Sequence, residues 1–410
     1  MTDTETKTDL ALHCGYHHTV LVPGGGGDLV GWGTGPNGEL STEEGFSEFD
    51  AGRLKLPHTW RSKGTDGTQA GVGAKHTVVL TDGNVYTMGS NENGRLGHDR
   101  KQRYGKVEFP YKDEYIQHIA VGASFNVAVG KDFKRLYSWG LGLYGNLGIG
   151  RTPLEERYPV MFRIDDGYGA YKSVKQVSCG SEYALALCFD GSVYSWGSGK
   201  GGRLGHGNTM SISTPKIIKS LVVSHEDRVI EIAAGEFHAL ALDAQGDVYS
   251  WGSGSFGRLG LGTEHNQYTP KVIPGLKKIF VVGISCHVYH SLAVVKGSGR
   301  SHTLYTWGGG QYGKLGNRED KNCMVPRPVR YFGLRVRDEP VILAGCGFDF
   351  TVAITKSGRI YAWGYTSNKR CGGLEHRRRK EILEDSEPTF VSEPMLVNDG
   401  IQGLDAKFIV

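Results

Sequence analysis

The sequence predicts an all-β fold, a seven-bladed β-propeller of four-stranded blades, and three observations predict it. A hydrophobic strand ends in Trp-Gly or a near copy seven times: Trp32-Gly33, Met88-Gly89, Trp139-Gly140, Trp196-Gly197, Trp251-Gly252, Trp307-Gly308 and Trp363-Gly364. Successive copies lie 56, 51, 57, 55, 56 and 56 residues apart, a period that belongs to propeller blades or solenoid turns. Each unit is rich in Val, Ile, Tyr and Phe and is broken by Gly and Asp, with no long apolar stretch of 3.6-residue period, so the units read as β-meanders. Seven meanders with faces to cover close naturally into a ring.

The fifth copy shows the order of elements. Residues Val229 to Leu242 enter, Asp243 to Gly246 turn, and Asp247 to Gly252 return, a hairpin with one apolar face per strand. Ser253 to Gly260 then turns outward, and Thr269 to Pro274 supplies an edge strand, where proline does no harm to the ladder. The six tryptophans Trp32, Trp139, Trp196, Trp251, Trp307 and Trp363 are expected to pack against the neighbouring blade, each burial contributing a few kcal/mol. Met88 fills that slot less specifically, so the second blade is expected to be the softest joint. Residues 1–9 read as a short polar tail and 10–410 as one propeller domain. The chain opens midway through a repeat at Leu10 to His18 and finishes with Pro394 to Val397 and Lys407 to Val410. That pattern predicts closure by N- and C-terminal strands sharing one blade, which removes exposed edges.

Composition narrows the function classes. The 62 glycines fall at repeated offsets, as turns between short strands require. With 47 basic and 43 acidic side chains and a net charge of +4, the chain has no overall bias toward nucleic acid or an anionic membrane. No apolar run is long enough to cross a bilayer, and the first ten residues lack the features of a secretory or mitochondrial leader. Seven cysteines without a Cys-x-x-Cys pair argue against a disulfide framework and a zinc site and fit a reducing, intracellular, cytoplasmic setting. Cys14, Cys179, Cys286 and Cys346 share one repeat position and read as small buried apolar residues.

The pattern Ala-x-Gly-x-x-His-x-x-Ala-Leu, then Gly-x-Val-Tyr-x-Trp-Gly, then Tyr/Phe-Gly-x-Leu-Gly, repeated over residues 10–410, resembles the regulator of chromosome condensation repeat family. The resemblance implies the same seven-bladed propeller. It also implies, for a member made of little besides the propeller, a subunit or adaptor of a larger assembly, including ciliary and microtubule-linked ones.

Motifs that suggest chemistry have structural explanations. Gly-x-Gly-x-x-Gly occurs at Gly33, Gly140, Gly197, Gly252 and Gly308, and copies at one repeat position are turns; none leads into the helix a nucleotide cradle needs. His18, His76, His238 and His290 recur once per blade, too far apart around a ring to converge on one ion, and read as structural hydrogen-bonding groups. No catalytic triad or paired carboxylate is recognisable, so the expectation is a non-enzymatic protein with no cofactor and no metal.

What varies between copies points to recognition. Before the histidine-like position, on the loop after each entering strand, stand His17, Lys75, Ser124, Glu182, Phe237, Tyr289 and Asp349. Varied side chains on one face of a rigid platform suit a protein partner, in a multi-subunit or cytoskeletal assembly. In the family's chromatin-bound member this face acts on the small GTPase Ran, which makes guanine-nucleotide exchange on a Ran-like GTPase the alternative. That member's acidic residue followed by a histidine two blades on is not reproduced here, since Glu182 is followed by Tyr289 and Asp349 by Lys75, and its basic tail is replaced by Asp3, Glu5 and Asp9. Family members that sense ultraviolet light use clustered face tryptophans, whereas here only Trp60 stands apart from the Trp-Gly positions. His376 and the basic patch Arg377, Arg378, Arg379 and Lys380 are followed at once by Glu381, Glu384, Asp385 and Glu387, so local neutralisation is expected over nucleic-acid binding.

Overall fold

The computed structural model describes residues 10–23, 28–41, 48–54, 56–57, 60, 68–99, 101–221, 227–296, 304–336, 339–372 and 390–397. Among them the chain forms 28 strands in seven four-stranded antiparallel sheets, the predicted propeller blades. The first blade comprises Ala11–Cys14, His18–Val22, Val30–Thr34 and Glu48–Arg53, and the last Val341–Cys346, Phe350–Thr355, Ile360–Tyr365 and Phe390–Leu396. The five between occupy residues 69–106, 116–162, 174–217, 229–272 and 281–328. The one α-helix among the described residues is the single turn Tyr331–Leu334.

Closure differs from the expectation. Among the described residues no sheet takes strands from both ends of the chain: each is a contiguous run of four strands, hydrogen-bonded in chain order, and Leu396 pairs with Tyr361 of its own blade. The repeat runs from inner to outer strand, so each unit completes its own sheet and leaves no strand to exchange. Lys407 to Val410 lies outside the described residues. The first and last blades meet instead through packing of Leu21, Val30 and Trp32 against Phe350, Val352 and Ile354.

The apolar interior is divided. Seven clusters form, one between each pair of adjacent blades, as where Leu240, Leu242 and Val248 of the fifth blade meet Ala293 and Trp307 of the sixth. Alternation along each strand turns one side chain set toward the preceding blade and the other toward the next, so both faces are buried.

The Trp-Gly signature explains the joints. All six tryptophans of the signature are fully buried. Each indole Nε1–H donates to a backbone carbonyl of the preceding blade: Trp139 to Arg95 at 3.1 Å, Trp196 to Asn146, Trp251 to Arg203 and Trp307 to Arg258 at 2.9 Å, and Trp363 to Lys314 at 2.8 Å. Trp32 closes the ring with Arg370 O at 3.1 Å. At the second blade Met88 has no such donor, and the corresponding Glu39 O keeps the second bond that other blades also make, from Thr77 Oγ1–H at 2.6 Å, as Ser291 and Thr351 donate to Arg258 O and Lys314 O. Trp60 is buried beside it, stacked on Tyr86 at 4.8 Å.

The histidines complete these clamps. Nε2 of His18, His76, His238 and His290 lies 2.7–2.8 Å from Thr77, Asn126, Ser291 and Thr351 of the following blade. Burial pushes the His18 and His76 imidazoles down to about 3 and holds His238 and His290 well below the usual range, so all four are neutral hydrogen-bonding groups.

Candidate functional site

Two sets of loops meet at one face because of the glycine that follows each of the six tryptophans and Met88. All seven of these glycines have φ between +104° and +116°. A β-carbon there would press on backbone: at Gly252 it would lie 2.6 Å from Phe237 O. The residue after each glycine then donates its N–H to the carbonyl of the predicted face residue, in every blade: Thr34 to His17, Ser90 to Lys75, Leu141 to Ser124, Ser198 to Glu182, Ser253 to Phe237, Gly309 to Tyr289 and Tyr365 to Asp349, all at 2.8–2.9 Å. The seven residues singled out from the sequence are thus brought to one face, each tied to the loop that leaves the Trp-Gly strand.

Their environments differ. Lys75 is exposed and lies 3.5 Å from Glu92, Ser124 is half-buried, and Glu182 is half-buried 3.7 Å from the buried Arg203. His17 Nδ1 accepts from Arg370 at 2.7 Å, and burial followed by the Arg370 charge lowers its pKa. Asp349 is buried and paired at 2.9 Å with the buried Lys314, so its carboxylate serves the interior of the face. The patch Arg377 to Lys380 lies outside the described residues.

Sequence reasoning missed the loops after Trp-Gly, which it read only as turns. They supply Tyr144, Phe256 and Tyr312, whose φ values of +63°, +62° and +62° are uncommon for bulky residues. Beneath them the Gly-x-Leu-Gly position supplies buried cations. The Arg258 guanidinium sits over three rings, 5.6 Å from Phe237, 5.4 Å from Phe256 and 5.9 Å from Tyr289. Burial lowers its pKa to about 10. Lys314 lies 5.3 Å from Tyr289 and 5.7 Å from Tyr312, and Arg370 5.0 Å from Tyr365.

Rings also touch one another across blades. Phe256 meets Tyr289 edge-on at 5.5 Å, Tyr289 meets Phe348 at 5.3 Å, and Phe348 stacks on Tyr16 at 5.4 Å. This aromatic ridge runs over the fifth, sixth, seventh and first blades. Tyr16 ends it by crossing the mouth of the central channel, where its hydroxyl donates to Glu236 Oε1 of the fifth blade at 2.6 Å. Burial raises the Glu236 pKa. The channel behind encloses about 260 Å3 and is lined by the inner strands, including Cys14, Cys179, Cys286 and Cys346. All seven cysteines are free thiols. Among the described residues no group of three His, Cys, Asp or Glu is arranged to hold a metal ion, and no helix is long and apolar enough to cross a membrane.

A ring of seven meanders, Trp-Gly clamps and a loop face of this construction defines a regulator-of-chromosome-condensation type of propeller. Residues 28–403 match the model of the RCC1-like domain, and the chain belongs to that family. It is 36% identical over 228 residues to the mouse E3 ubiquitin-protein ligase HERC2, covering 52% of this chain but 4% of that protein. It is 29% identical over 303 residues to the Arabidopsis thaliana ultraviolet-B receptor UVR8, covering 73% of this chain and 65% of the receptor. Among solved structures, human WBSCR16 superposes with a TM-score of 0.70 at 23% identity, over 86% of this chain and 89% of that one. Prp20p from Saccharomyces cerevisiae, described with its binding to Gsp1p and histones, gives 0.72 at 20% identity over 90% and 86%.

Proposed function

We propose that this propeller is a non-enzymatic scaffold or adaptor that docks a protein partner on its loop face within a larger intracellular assembly. The observation that carries the reading is the aromatic ridge over buried cations, held on loops that share one hydrogen bond in all seven blades. Aromatic residues and arginine on a preformed surface are what protein interfaces concentrate at their centres. The ligase name of HERC2 belongs to a protein of which this chain matches 4%, and no catalytic constellation is needed here. Affinity purification from the native cell tests the reading: the unsubstituted chain should return one dominant complex, with ciliary and microtubule-linked assemblies the first to examine. Phe256→Ala with Tyr289→Ala should release it. A chain that purifies alone, or a complex indifferent to both substitutions, refutes the proposal.

A second reading is guanine-nucleotide exchange on a Ran-like small GTPase. It is supported by the fold shared with Prp20p and by Glu182 and Glu236, both close enough to Tyr16 to affect its ionisation at the channel mouth. Exchange needs only differential binding of the empty GTPase. Stopped-flow release of fluorescent GDP should be accelerated by the chain and slowed again by Glu182→Ala. No acceleration across a panel of small GTPases removes this reading and leaves docking intact.

A further inference from the structure

The outer wall between the sixth and seventh blades carries a second concave site, away from the loop face. A cavity of about 460 Å3 is lined by Arg318, Arg327, Arg330 and Arg335 together with Glu319 and Glu393. Four guanidinium groups against two carboxylates leave a local excess of positive charge in a chain that is nearly balanced overall.

Glu393, on the outer strand of the seventh blade, bridges two of these cations, with Oε2 at 2.8 Å from Arg318 Nε and Oε1 at 3.8 Å from Arg335. Its carboxylate shows where an anion is held between two forks. Arg327 and Arg330 form no ion pair with a described carboxylate, and both are exposed at the rim. The helical turn Tyr331–Leu334 is flanked by Arg330 and Arg335 and presents an exposed Leu334.

Arg318 is the telling residue. Three other blades have glycine at its position: Gly150, Gly207 and Gly262, with φ of +80°, +82° and +81°, donate N–H to Ser213, Tyr268 and Met324 of the next blade at 2.8–2.9 Å. Arg318 makes the same bond to Ser392 O at 2.8 Å with φ of +69°. A long cationic side chain is thus held where the backbone favours glycine, the kind of local strain that collects at ligand sites.

We infer that this groove binds a phosphorylated side chain of a protein segment. Arginine forks match the oxygens of a phosphate dianion, and arginine clusters are the general means of reading phosphorylated motifs. The cavity has the size of a small-ligand site rather than the extended basic track that a nucleic-acid backbone requires. Leu334 and the half-buried Tyr331 offer apolar surface to residues flanking the phosphate, which neither free phosphate nor a flat lipid surface would use.

Calorimetric titration of the full chain tests this with three probes: inorganic phosphate, a short peptide with phosphoserine between leucines, and its unphosphorylated twin. The phosphopeptide should bind about tenfold or more tightly than either. Arg327→Ala with Arg330→Ala should remove that preference without moving the melting temperature. Glu393→Gln should strengthen binding, because it frees two guanidinium groups. Arg318→Gly should weaken binding while raising the melting temperature, a pair of effects that a merely structural arginine would not give. Equal binding of the two peptides up to about 1 mM, or a preference that survives the double substitution, overturns the inference. Inorganic phosphate binding as tightly as the phosphopeptide, or tighter capture by anionic vesicles than by the peptide, overturns the assignment to a protein segment.

Discussion

Replacing tryptophan by phenylalanine should cost more at Trp32 than at Trp307, although both rings are fully buried. At the sixth blade the accepting carbonyl, Arg258 O, receives Trp307 Nε1–H at 2.9 Å and also Ser291 Oγ–H at 2.9 Å. At the ring closure, Arg370 O receives Trp32 at 3.1 Å and no second side-chain donor among the described residues. The smaller ring leaves a void of about 40 Å3 in either case, worth about 1 kcal/mol. Losing the indole bond at Trp307 adds about 1 kcal/mol, since the carbonyl stays satisfied. At Trp32 the carbonyl is orphaned in the interior, which costs about 2 kcal/mol instead. The expected losses are therefore about 2 kcal/mol for Trp307→Phe and about 3 kcal/mol for Trp32→Phe. Equilibrium urea unfolding followed by far-ultraviolet circular dichroism reads both. Equal losses, or the larger one at Trp307, would refute the argument that carbonyl satisfaction sets the difference.

Three further outcomes are expected. Gly252→Ala should destabilise the fold by about 2 kcal/mol or more, because its φ of +104° disfavours any side chain and the β-carbon meets Phe237 O; an unchanged urea midpoint would contradict this. Burial holds His18 and His76 at about 3 and His13, His118 and His287 at about 4, below the 6.5 of the unfolded chain. The unfolded state then binds more protons below pH 6.5, so stability is complete above it and falls as pH drops toward 4, by about 1.4 kcal/mol per unit for each histidine. Midpoints measured from pH 7 to 4 check this, and His76→Gln should flatten the slope by about one proton. Phe256→Gly should raise the melting temperature by relieving a φ of +62° while weakening partner capture; a lowered melting temperature would show that the ring's packing outweighs the strain.

Much of the fold was legible because two physical demands recur at fixed spacing. A glycine at φ near +105° and an indole that reaches the preceding blade leave the same two letters in nearly every copy. Met88 shows how the pattern survives a loss, since Thr77 still holds the carbonyl through the bond that Ser291 makes beside Trp307. Among the described strands closure differs from the expectation because matching of end segments says which repeat element they resemble, while strand order decides which sheet they join. The loop face was found through its variation, but its depth was hidden. Asp349 looked like a surface acid, and only the fold sets Lys314 against it from a loop 35 residues away. Tyr16 stands one place before a residue that was singled out, yet its reach to Glu236, 220 residues along the chain, depends on the curvature of the ring. Phe256 and Tyr312 left a signal, an aromatic where a left-handed turn invites glycine, that was absorbed into the reading of turns.

Contiguous blades have a consequence for how the molecule is made. Each unit emerges from the ribosome with all four of its strands in hand and can settle against the one before it, whose receiving carbonyl is already in place. Only the first unit has no predecessor. Its indole must wait for a partner 338 residues downstream, so that flank stays uncovered until the seventh blade has been made. That flank is where a nascent-chain chaperone would find the longest-lived apolar surface.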